Sequence, residues 1–157
     1  MLMPSLFRTY YRLTADLPWS LWRDEFAENI GSSWYANTDE PFVGKLDGNS
    51  FRIILRSSRR NAFHAVLQGR IRSGGLKPQI MVYARMNTLA LIFSIVWLGL
   101  ACIFLGRGIY IFVKGESAVL MGISLAFIVG YLTIANNAFY SSSQEARSML
   151  KKILETI

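Results

Sequence analysis

The chain has 157 residues, of which 52% are hydrophobic, and it carries 17 lysines and arginines against 10 aspartates and glutamates. This length allows one modest domain with a small addition, and the hydrophobic fraction is high for a soluble protein. One cysteine and one histidine exclude an intrachain disulfide and leave too few ligands for a cysteine or histidine metal centre. We therefore expect no metal and no other cofactor.

The first residues do not have the pattern of a secretory signal peptide, because residues 1–14 contain neither a long apolar core nor a small-residue cleavage site. We therefore expect residues 1–87 to stay in the compartment in which they are synthesised. Residues 6–13 alternate between apolar or aromatic and polar positions, which predicts a half-buried β-strand. Phe7, Thr9, Tyr11 and Leu13 face one way, and Arg8, Tyr10 and Arg12 face the other.

A helix is predicted next, in residues 16–31. Asp16 lies near its cap, Pro18 in its first turn and Gly31 at its end, positions that these residue types favour. One side carries apolar residues at helical spacing: Trp19, Trp22, Phe26 and Ile30. We expect this side to cover the apolar face of a sheet.

Four antiparallel strands are predicted between residues 42 and 86. Residues 42–56 have the pattern of a β-hairpin, because alternation runs on both sides of a turn around Gly48. Residues 61–72 alternate again, and Gly69 indicates a bulge or a close backbone approach there. Residues 79–86 give the last strand. With the first strand, these make a sheet of about five strands.

The polar side of this sheet is predicted to be strongly basic. Alternation places on it Arg8, Arg12, Arg52, Arg56, Arg70 and Arg72, together with His64, Gln68 and, as a further candidate, Arg85. Arg59 and Arg60, in the turn before residue 61, add to this surface. These arginines are the predicted binding residues of the protein.

Three interpretations of the basic side stay open. It is an ordinary solvated face, or it binds an acidic protein, or it binds anionic lipid headgroups, which attract each nearby Lys or Arg by about 1 kcal/mol. The sequence disfavours nucleic acid as a partner, because Tyr10 and Tyr83 are the only aromatic residues on that side for base stacking.

Two uncharged apolar runs follow, at residues 88–106 and 118–135. Each reaches the roughly 18 to 20 residues with which a helix crosses about 30 Å of hydrocarbon, so we predict a transmembrane hairpin. The first helix either ends at Gly106 or continues to Val113, with Arg107 as an anchor near the membrane surface. We favour Val113, because the residues before it suit a membrane interface and those after it a helix end.

Basic residues flank the two runs on the side of the chain termini. Arg70, Arg72, Lys77 and Arg85 precede the first run, and Arg147, Lys151 and Lys152 follow the second. The positive-inside rule then places both termini in the cytoplasm and leaves a short turn on the other side. We predict a multi-pass protein of the cell inner membrane, with membrane lipids as its partners.

Small residues recur at every fourth position of the second run, in Gly122, Ala126 and Gly130. Such rows let helix backbones approach closely in lipid. Either the two helices of one chain pack through this row, or the row joins two copies in a homo-oligomer. The row therefore supplies the predicted helix-packing residues.

A tail helix is predicted from about Ser142, which has capping-box spacing to Glu145. Met149, Leu150, Ile153 and Leu154 lie on one side of this helix and make it amphipathic.

No catalytic pattern accompanies these elements. The chain has no phosphate-binding loop, since neither of its Gly-rich stretches is followed by the required Lys and Ser or Thr. His64 has no orienting carboxylate and no nucleophile in its strand. We do not predict an enzyme.

Residues 42–71 carry three motifs in series. Phe42 and Gly44 form F-x-G. Gly48, Asn49, Phe51 and Ile53 form G-N-x-F-x-I. Arg60, Asn61, Phe63, Gly69 and Ile71 form R-N-x-F-x-x-x-x-x-G-x-I. With the hydrophobic hairpin that follows, this stretch resembles small, uncharacterised bacterial inner-membrane proteins. The resemblance implies a shared architecture and no particular activity.

The sequence as a whole predicts an α+β protein in three parts. Residues 1–87 form a cytoplasmic domain with a small antiparallel sheet on one helix, residues 88–140 a transmembrane helical hairpin, and residues 141–157 a cytoplasmic tail helix. The predicted function is a membrane-anchored interaction or scaffolding module whose basic sheet face contacts anionic lipid headgroups or an acidic protein partner. The alternative is an oligomeric membrane effector or small pore with a cytoplasmic sensor domain.

Overall fold

The computed structural model describes residues 7–14, 18–31, 40–56, 63–72, 78–115 and 117–156. They form one β-sheet and three helices, which confirms the α+β class. The chain divides into two compact units. Met1–Asn87 and Phe139–Ile157 make up the first, which we call the sheet unit, and Thr88–Ala138 makes up the second, which we call the hairpin unit.

The described part of the sheet unit contains six strands in the order β1-β6-β5-β4-β3-β2. Their bounds are β1 Arg8–Thr14, β2 Ile30–Gly31, β3 Phe42–Asp47, β4 Ser50–Leu55, β5 Ala65–Arg72 and β6 Gln79–Met86. All neighbours are antiparallel except β2 and β3, so the sheet is mixed. The five predicted strands are present, and β2 is a sixth strand that is too short to produce an alternation.

The hairpin of β3 and β4 turns at Gly48, whose φ of 53° lies in the left-handed region that glycine adopts without a Cβ clash. The Ser50 hydroxyl donates a hydrogen bond to the Asp47 carbonyl across this turn, at 3.0 Å. Further along, the pairing of β5 with both neighbours continues without interruption through Gly69. Gly69 therefore does not mark a bulge.

The first helix, α1 (Trp19–Glu28), begins after Pro18, which is its N-cap residue. Asp16, the residue predicted near this cap, lies outside the described residues. The predicted end at Gly31 is wrong, because the chain leaves the helix after Glu28 to pair β2 with β3. A backbone hydrogen bond of 3.2 Å from the Phe42 N–H to the Asn29 carbonyl begins this pairing.

The other two helices are α2 (Thr88–Val113) and α3 (Val119–Thr156). The end of α2 at Val113 agrees with the longer of the two predicted helices. The tail is not a separate helix, because α3 continues for 38 residues without a break. Ser142 lies inside α3 and caps nothing. Its hydroxyl instead accepts a hydrogen bond of 3.0 Å from the Ala65 N–H at the start of β5.

Two helical segments cover the apolar face of the sheet, where the sequence predicted one. Phe26 of α1 packs edge-on against Phe51 of β4, with ring centroids 5.4 Å apart. Residues 139–156, the C-terminal part of α3, cover β1 on the same face. The Arg147 guanidinium there lies 5.2 Å above the ring of Tyr11, and Phe7 meets Phe139 edge-on at 6.3 Å.

This arrangement produces the core of the sheet unit. Trp22, Phe26, Phe42, Ile53, Leu67, Ile80, Val82, Phe139, Ala146 and Leu150 are almost completely buried. Complete burial stabilises a large apolar side chain by about 1.5–3 kcal/mol relative to an exposed one. Residues 139–156 therefore belong to the folded core and are not an appendage to it.

In the hairpin unit, α2 packs on α3 through small residues spaced by seven, which are Ser94, Ala101 and Gly108. Seven residues are close to two helical turns, so this spacing keeps the three residues on the side of α2 that contacts α3. A Cβ on Gly108 would lie 2.7 Å from the backbone nitrogen of Met121, so the helices approach closely there. The Tyr131 hydroxyl donates a hydrogen bond of 2.8 Å to Ser94 Oγ.

The predicted packing row of α3 does not make this contact. Gly122 and Ala126 are exposed and Gly130 is half-buried. A Cβ on Gly122 or Gly130 would meet no atom within 4 Å. Packing of the two helices of one chain through this row is therefore wrong, and the row lies on surface that the chain itself does not cover.

Both α2 and α3 are long and apolar enough to cross a membrane. Only 17% and 11% of their apolar stretches are buried inside the chain, whereas the core helix of a soluble protein is mostly buried. Exposed apolar surface of this extent favours lipid as its surroundings. The two helices are candidate membrane spans, and they suggest a membrane protein.

Candidate functional site

The side of the sheet that faces away from α1 and from residues 139–156 is the candidate site, and we call it the outer face. Strand alternation turns the polar residues of five strands toward it. Its exposed cations are Arg8, Arg12, Lys45, Arg52, Arg70 and Arg72, and Arg85 is half-buried. The structure thus brings together five of the predicted binding residues, at positions 8, 12, 52, 70 and 72.

The strand register arranges the outer face in rows that cross the strands. In the central row, Arg52 lies directly between Lys45 on β3 and Gln68 on β5. The row continues from Gln68 to Tyr83 and Tyr10. Residues directly opposite each other have Cβ atoms about 4.5–5.5 Å apart. A cationic half of this row therefore adjoins an aromatic half.

The aromatic half consists of Tyr10 and Tyr83, whose ring centroids are 4.9 Å apart and whose planes are tilted by 53°. Tyr83 is 58% exposed and Tyr10 is 36% exposed. Their rings and hydroxyls are therefore accessible on the same surface as the cations. Tyr has an apolar ring and a polar tip, which suits a boundary between an apolar and an aqueous phase.

A second row places Arg12, Met81 and Arg70 opposite one another, with Ser50 next on β4. Beyond it, Arg72 lies opposite Gln79. In the described part of the outer face, Asp47 beside Ser50 is the one carboxylate. Cations therefore greatly outnumber anions on this face.

The remaining row shows that the outer face is not uniformly basic. It begins with Arg8 and Arg85 and then passes to Val66, Ile54 and Val43. Val66 is 2% exposed and Val43 is 6% exposed, so this corner is buried and apolar. Within the described residues, the Nε atom of Arg85 is buried and has no hydrogen-bond partner. Apart from Arg8 at its end, this row adds no fully exposed cation, so most of the accessible basic area lies in the other rows.

Of the three remaining predicted arginines, the structure describes Arg56 alone, and Arg56 does not contribute to the exposed basic area. Arg56 is half-buried, and its Nη2 atom lies 3.1 Å from the position of a Cβ on Gly31, where the Glu40 carboxylate also approaches. Its packing at the β2 edge removes it from the outer surface. Arg59 and Arg60 lie outside the described residues.

His64 is half-buried at the start of β5, with its Nε2 atom 3.3 Å from the Asn87 side-chain nitrogen. No group of three or more His, Cys, Asp or Glu in the described part of the chain could hold a metal ion. The described residues around His64 thus supply contacts typical of a structural histidine.

Lys45 is the outer-face cation that the sequence analysis missed. It lies between Gly44 and Leu46, and their inward alternation was a sufficient signal to place it outward. Its position directly opposite Arg52 matters, because like charges in opposite positions of a sheet destabilise it. An anion bound between the two side chains would relieve this repulsion.

Comparison with known proteins adds no further constraint. No family model matches the chain, and no match is found among curated proteins or solved structures.

Proposed function

We propose that the protein is a membrane-anchored interaction module whose outer face binds anionic lipid headgroups. The spans α2 and α3 anchor it, and the exposed cations Lys45, Arg52, Arg70, Arg72 and Arg12 make the lipid contact. The observation that carries the proposal is the pair of like charges that Lys45 and Arg52 form on the exposed outer face.

Lipid is favoured over an acidic protein partner by the chain connection. Only Asn87 separates the end of β6 from the start of α2. Arg85 precedes Thr88 by three residues, so their Cα atoms are at most about 11 Å apart. The Debye length at physiological ionic strength is about 8 Å. The β6 end of the outer face is therefore held within about 1.4 Debye lengths of the start of α2, where the field of a charged membrane surface is weakened but still present.

The exposed pair of Tyr10 and Tyr83 fits the same partner. Tyrosine is enriched at membrane interfaces, where its ring meets the acyl boundary and its hydroxyl meets water. Each cation near an anionic surface adds about 1 kcal/mol of attraction. An exposed face with several cations and two tyrosines thus offers both contributions.

The proposed location is the cell inner membrane, with both termini in the cytoplasm. The basic residues that precede α2 and those in the C-terminal part of α3 support this orientation by the positive-inside rule. Reporter fusions test it. A fluorescent protein fused after residue 157 is expected to fluoresce, and alkaline phosphatase inserted after Gly115 is expected to be active. The reverse pattern would contradict the orientation.

The lipid proposal is tested with the full chain in lipid nanodiscs. A Cys102→Ser background with Gln79→Cys places a fluorophore on the outer face, and Ala27→Cys places a matched fluorophore on the exposed side of α1. We expect spin-labelled headgroups to quench the label at position 79 more strongly in discs with anionic lipid than in zwitterionic discs. Quenching should fall as salt reduces the Debye length from about 10 Å at 0.1 M to about 3 Å at 1 M.

Charge variants make this test specific. Arg52→Gln and Arg70→Gln are expected to weaken the lipid-dependent quenching, whereas Arg23→Gln on α1 removes the same charge and should leave it unchanged. Equal quenching in both kinds of disc would overturn the lipid proposal. If the fluorescence of the label at position 79 responds to added polyglutamate and not to anionic lipid, the outer face binds an acidic protein partner instead.

A second candidate function is an oligomeric membrane effector or small pore. One observation favours it: the small-residue row of Gly122, Ala126 and Gly130 faces away from α2. Such a row permits close approach of a helix from a second copy. Reconstitution in dye-filled liposomes tests the pore. Dye release that Gly122→Leu abolishes would support it, and retention of the dye at all protein densities would exclude it.

A further inference from the structure

A cleft of about 350 Å³ lies at the free edge of β1, where the last turns of α3 pass it. Thr14 and Arg12 line it from the strand, and Arg147, Lys151 and Glu155 line it from the helix, with leucines of both elements completing the wall. The volume is in the range of small-molecule sites. All of these residues belong to the sheet unit.

The charges in this cleft are unbalanced. Three cations, Arg12, Arg147 and Lys151, face a single carboxylate, Glu155, so the formal charge is three minus one, or +2. Glu155 lies 3.2 Å from Lys151 in an exposed i,i+4 pair, which leaves both arginines without a carboxylate from the described lining. Thr14 adds a hydroxyl donor.

Packing restrains one of these arginines before any ligand arrives. The Arg147 guanidinium lies 5.2 Å from the centroid of the Tyr11 ring, and Tyr11 is itself buried in the core. A guanidinium held against an aromatic ring loses less conformational entropy when it binds an anion. The edges of the guanidinium still carry N–H donors.

We infer that this cleft is a binding site for one phosphoryl group. Arg12 and Arg147 pair with its charged oxygens, Lys151 adds a point charge, and Thr14 donates a hydrogen bond. Arginine and lysine are the side chains suited to phosphate, and bidentate Arg contacts match its geometry. The phosphoryl group belongs either to a lipid headgroup or to a soluble phosphate ester.

The site shares Arg12 with the lipid-binding surface of the proposed function, but its other charged residues lie elsewhere, so the inference does not depend on that function. Arg147, Lys151 and Glu155 lie on α3, outside the outer face, whereas Arg52 and Arg70 lie outside the cleft. Arg12 belongs to both and is therefore left unchanged in the tests.

Calorimetric titration of the full chain in zwitterionic nanodiscs tests the site, with inorganic phosphate, glycerol 3-phosphate and dihexanoyl phosphatidic acid as probes. We expect saturable binding of at least one probe. Arg147→Gln and Lys151→Gln should each weaken it about tenfold, as expected for charge-assisted hydrogen bonds. Arg23→Gln, an equal charge change on α1 outside both the cleft and the outer face, should change it less than about twofold, because exposed charges interact weakly at a distance.

Glu155→Gln supplies the second variant. It releases Lys151 from its pair and removes the one negative charge of the lining, so binding should become about threefold tighter or more. Loss of folding cannot produce such a gain. Preference for phosphatidic acid over glycerol 3-phosphate would assign the phosphoryl group to a lipid, and the opposite preference would assign it to a soluble ester.

Three results would overturn the inference. The first is the absence of saturable binding of all three probes. The second is binding that Arg147→Gln and Glu155→Gln leave unchanged. The third is binding that Arg23→Gln weakens as much as Arg147→Gln, because phosphate would then be responding to overall charge. Loss of lipid-dependent quenching in Arg52→Gln, with phosphate binding intact, would separate this site from the outer face.

Discussion

The ring of Phe51 lies over Gly69, its register partner across β4 and β5. A Cβ on Gly69 would overlap this ring, with the Cε2 atom of Phe51 only 2.6 Å away. The same ring packs edge-on against Phe26 of α1. Gly69 is therefore a glycine because the aromatic ring that joins α1 to the sheet occupies the space above it.

Gly69→Ala is expected to destabilise the sheet unit by about 1–3 kcal/mol, the usual cost of overpacking a core. Chemical unfolding of the full chain in detergent measures this. Phe51→Leu in the same chain should recover part of the loss, because contacting residues are not additive. Gly99→Ala in α2 is the matched control, since a Cβ there meets no atom within 4 Å. An unchanged midpoint in Gly69→Ala would contradict the packing.

Residues 1–87 alone are expected not to form a stable domain, because residues 139–156 bury part of their apolar face. Phe139 and Leu150 are 2% and 0% exposed in the intact chain. Joining residues 1–87 to residues 139–157 should restore a cooperatively unfolding, soluble domain. A linker of about ten residues, which spans up to about 33 Å, is sufficient, because Phe7 contacts both Met86 and Phe139.

Circular dichroism and thermal unfolding of the two chains give the measurement. The joined chain with Leu150→Asp is the control, because a buried carboxylate should abolish the stabilisation that residues 139–157 provide. Cooperative unfolding of residues 1–87 without the tail would show that residues 139–156 are dispensable.

Tyr11 is expected to make the sheet unit sensitive to alkaline pH. Burial raises the pKa of its phenol above the usual value, and the positive charge of Arg147 lowers it in part. A raised pKa means that the folded state holds the proton more tightly than the unfolded state. Its contribution to stability is therefore complete below the unfolded pKa of about 10 and is lost as the pH rises beyond it.

Tyr11→Phe should remove the part of the alkaline loss of stability that comes from ionisation of Tyr11. Within the described residues the Tyr11 hydroxyl is buried and has no hydrogen-bond partner, so its removal should also leave stability at pH 7 unchanged or raise it by about 1 kcal/mol. Unfolding free energies of both proteins between pH 7 and 11 measure the difference, with the exposed Tyr10→Phe as control. Parallel pH profiles of wild type and Tyr11→Phe would contradict the assignment.

Gly108→Leu is expected to destabilise the hairpin unit, whereas Gly122→Leu is not. A side chain at position 108 would meet the backbone of Met121, which cannot move aside as a flexible side chain would. Overpacking of this kind costs about 1–3 kcal/mol. Thermal unfolding in detergent compares the two variants, and equal effects of both would contradict the packing of α2 on α3.

Local pattern was sufficient for most of the sheet and for α2. Alternation with period two placed Arg52 and Arg70 on the polar side, because successive residues of any strand point to opposite faces. The apolar stretch that reaches Val113, in which Arg107 is the one charged residue, predicted the length of α2, because a helix rises by a fixed distance per residue. These properties depend on neighbours along the chain, so the sequence expresses them directly.

Other features depended on residues that are far apart in the chain. The capping-box spacing of Ser142 and Glu145 predicted a helix start, but the Ala65 N–H occupies the Ser142 hydroxyl. Arg56 follows the parity of the basic side, yet it packs near Gly31 at the sheet edge. A local sequence pattern contains no information about contacts with distant residues. These two contacts changed the predicted roles of Ser142 and Arg56.

The sequence by itself determined the α+β class, the apolar spans and the sign of the outer face, since composition and periodicity suffice for each. Tertiary structure alone decided that residues 139–156 complete the sheet core, and that Arg12 and Arg147, 135 positions apart in the chain, line one cleft. The physical reason is that burial and charge clustering are set by distances in space, which the order of residues along a chain does not specify.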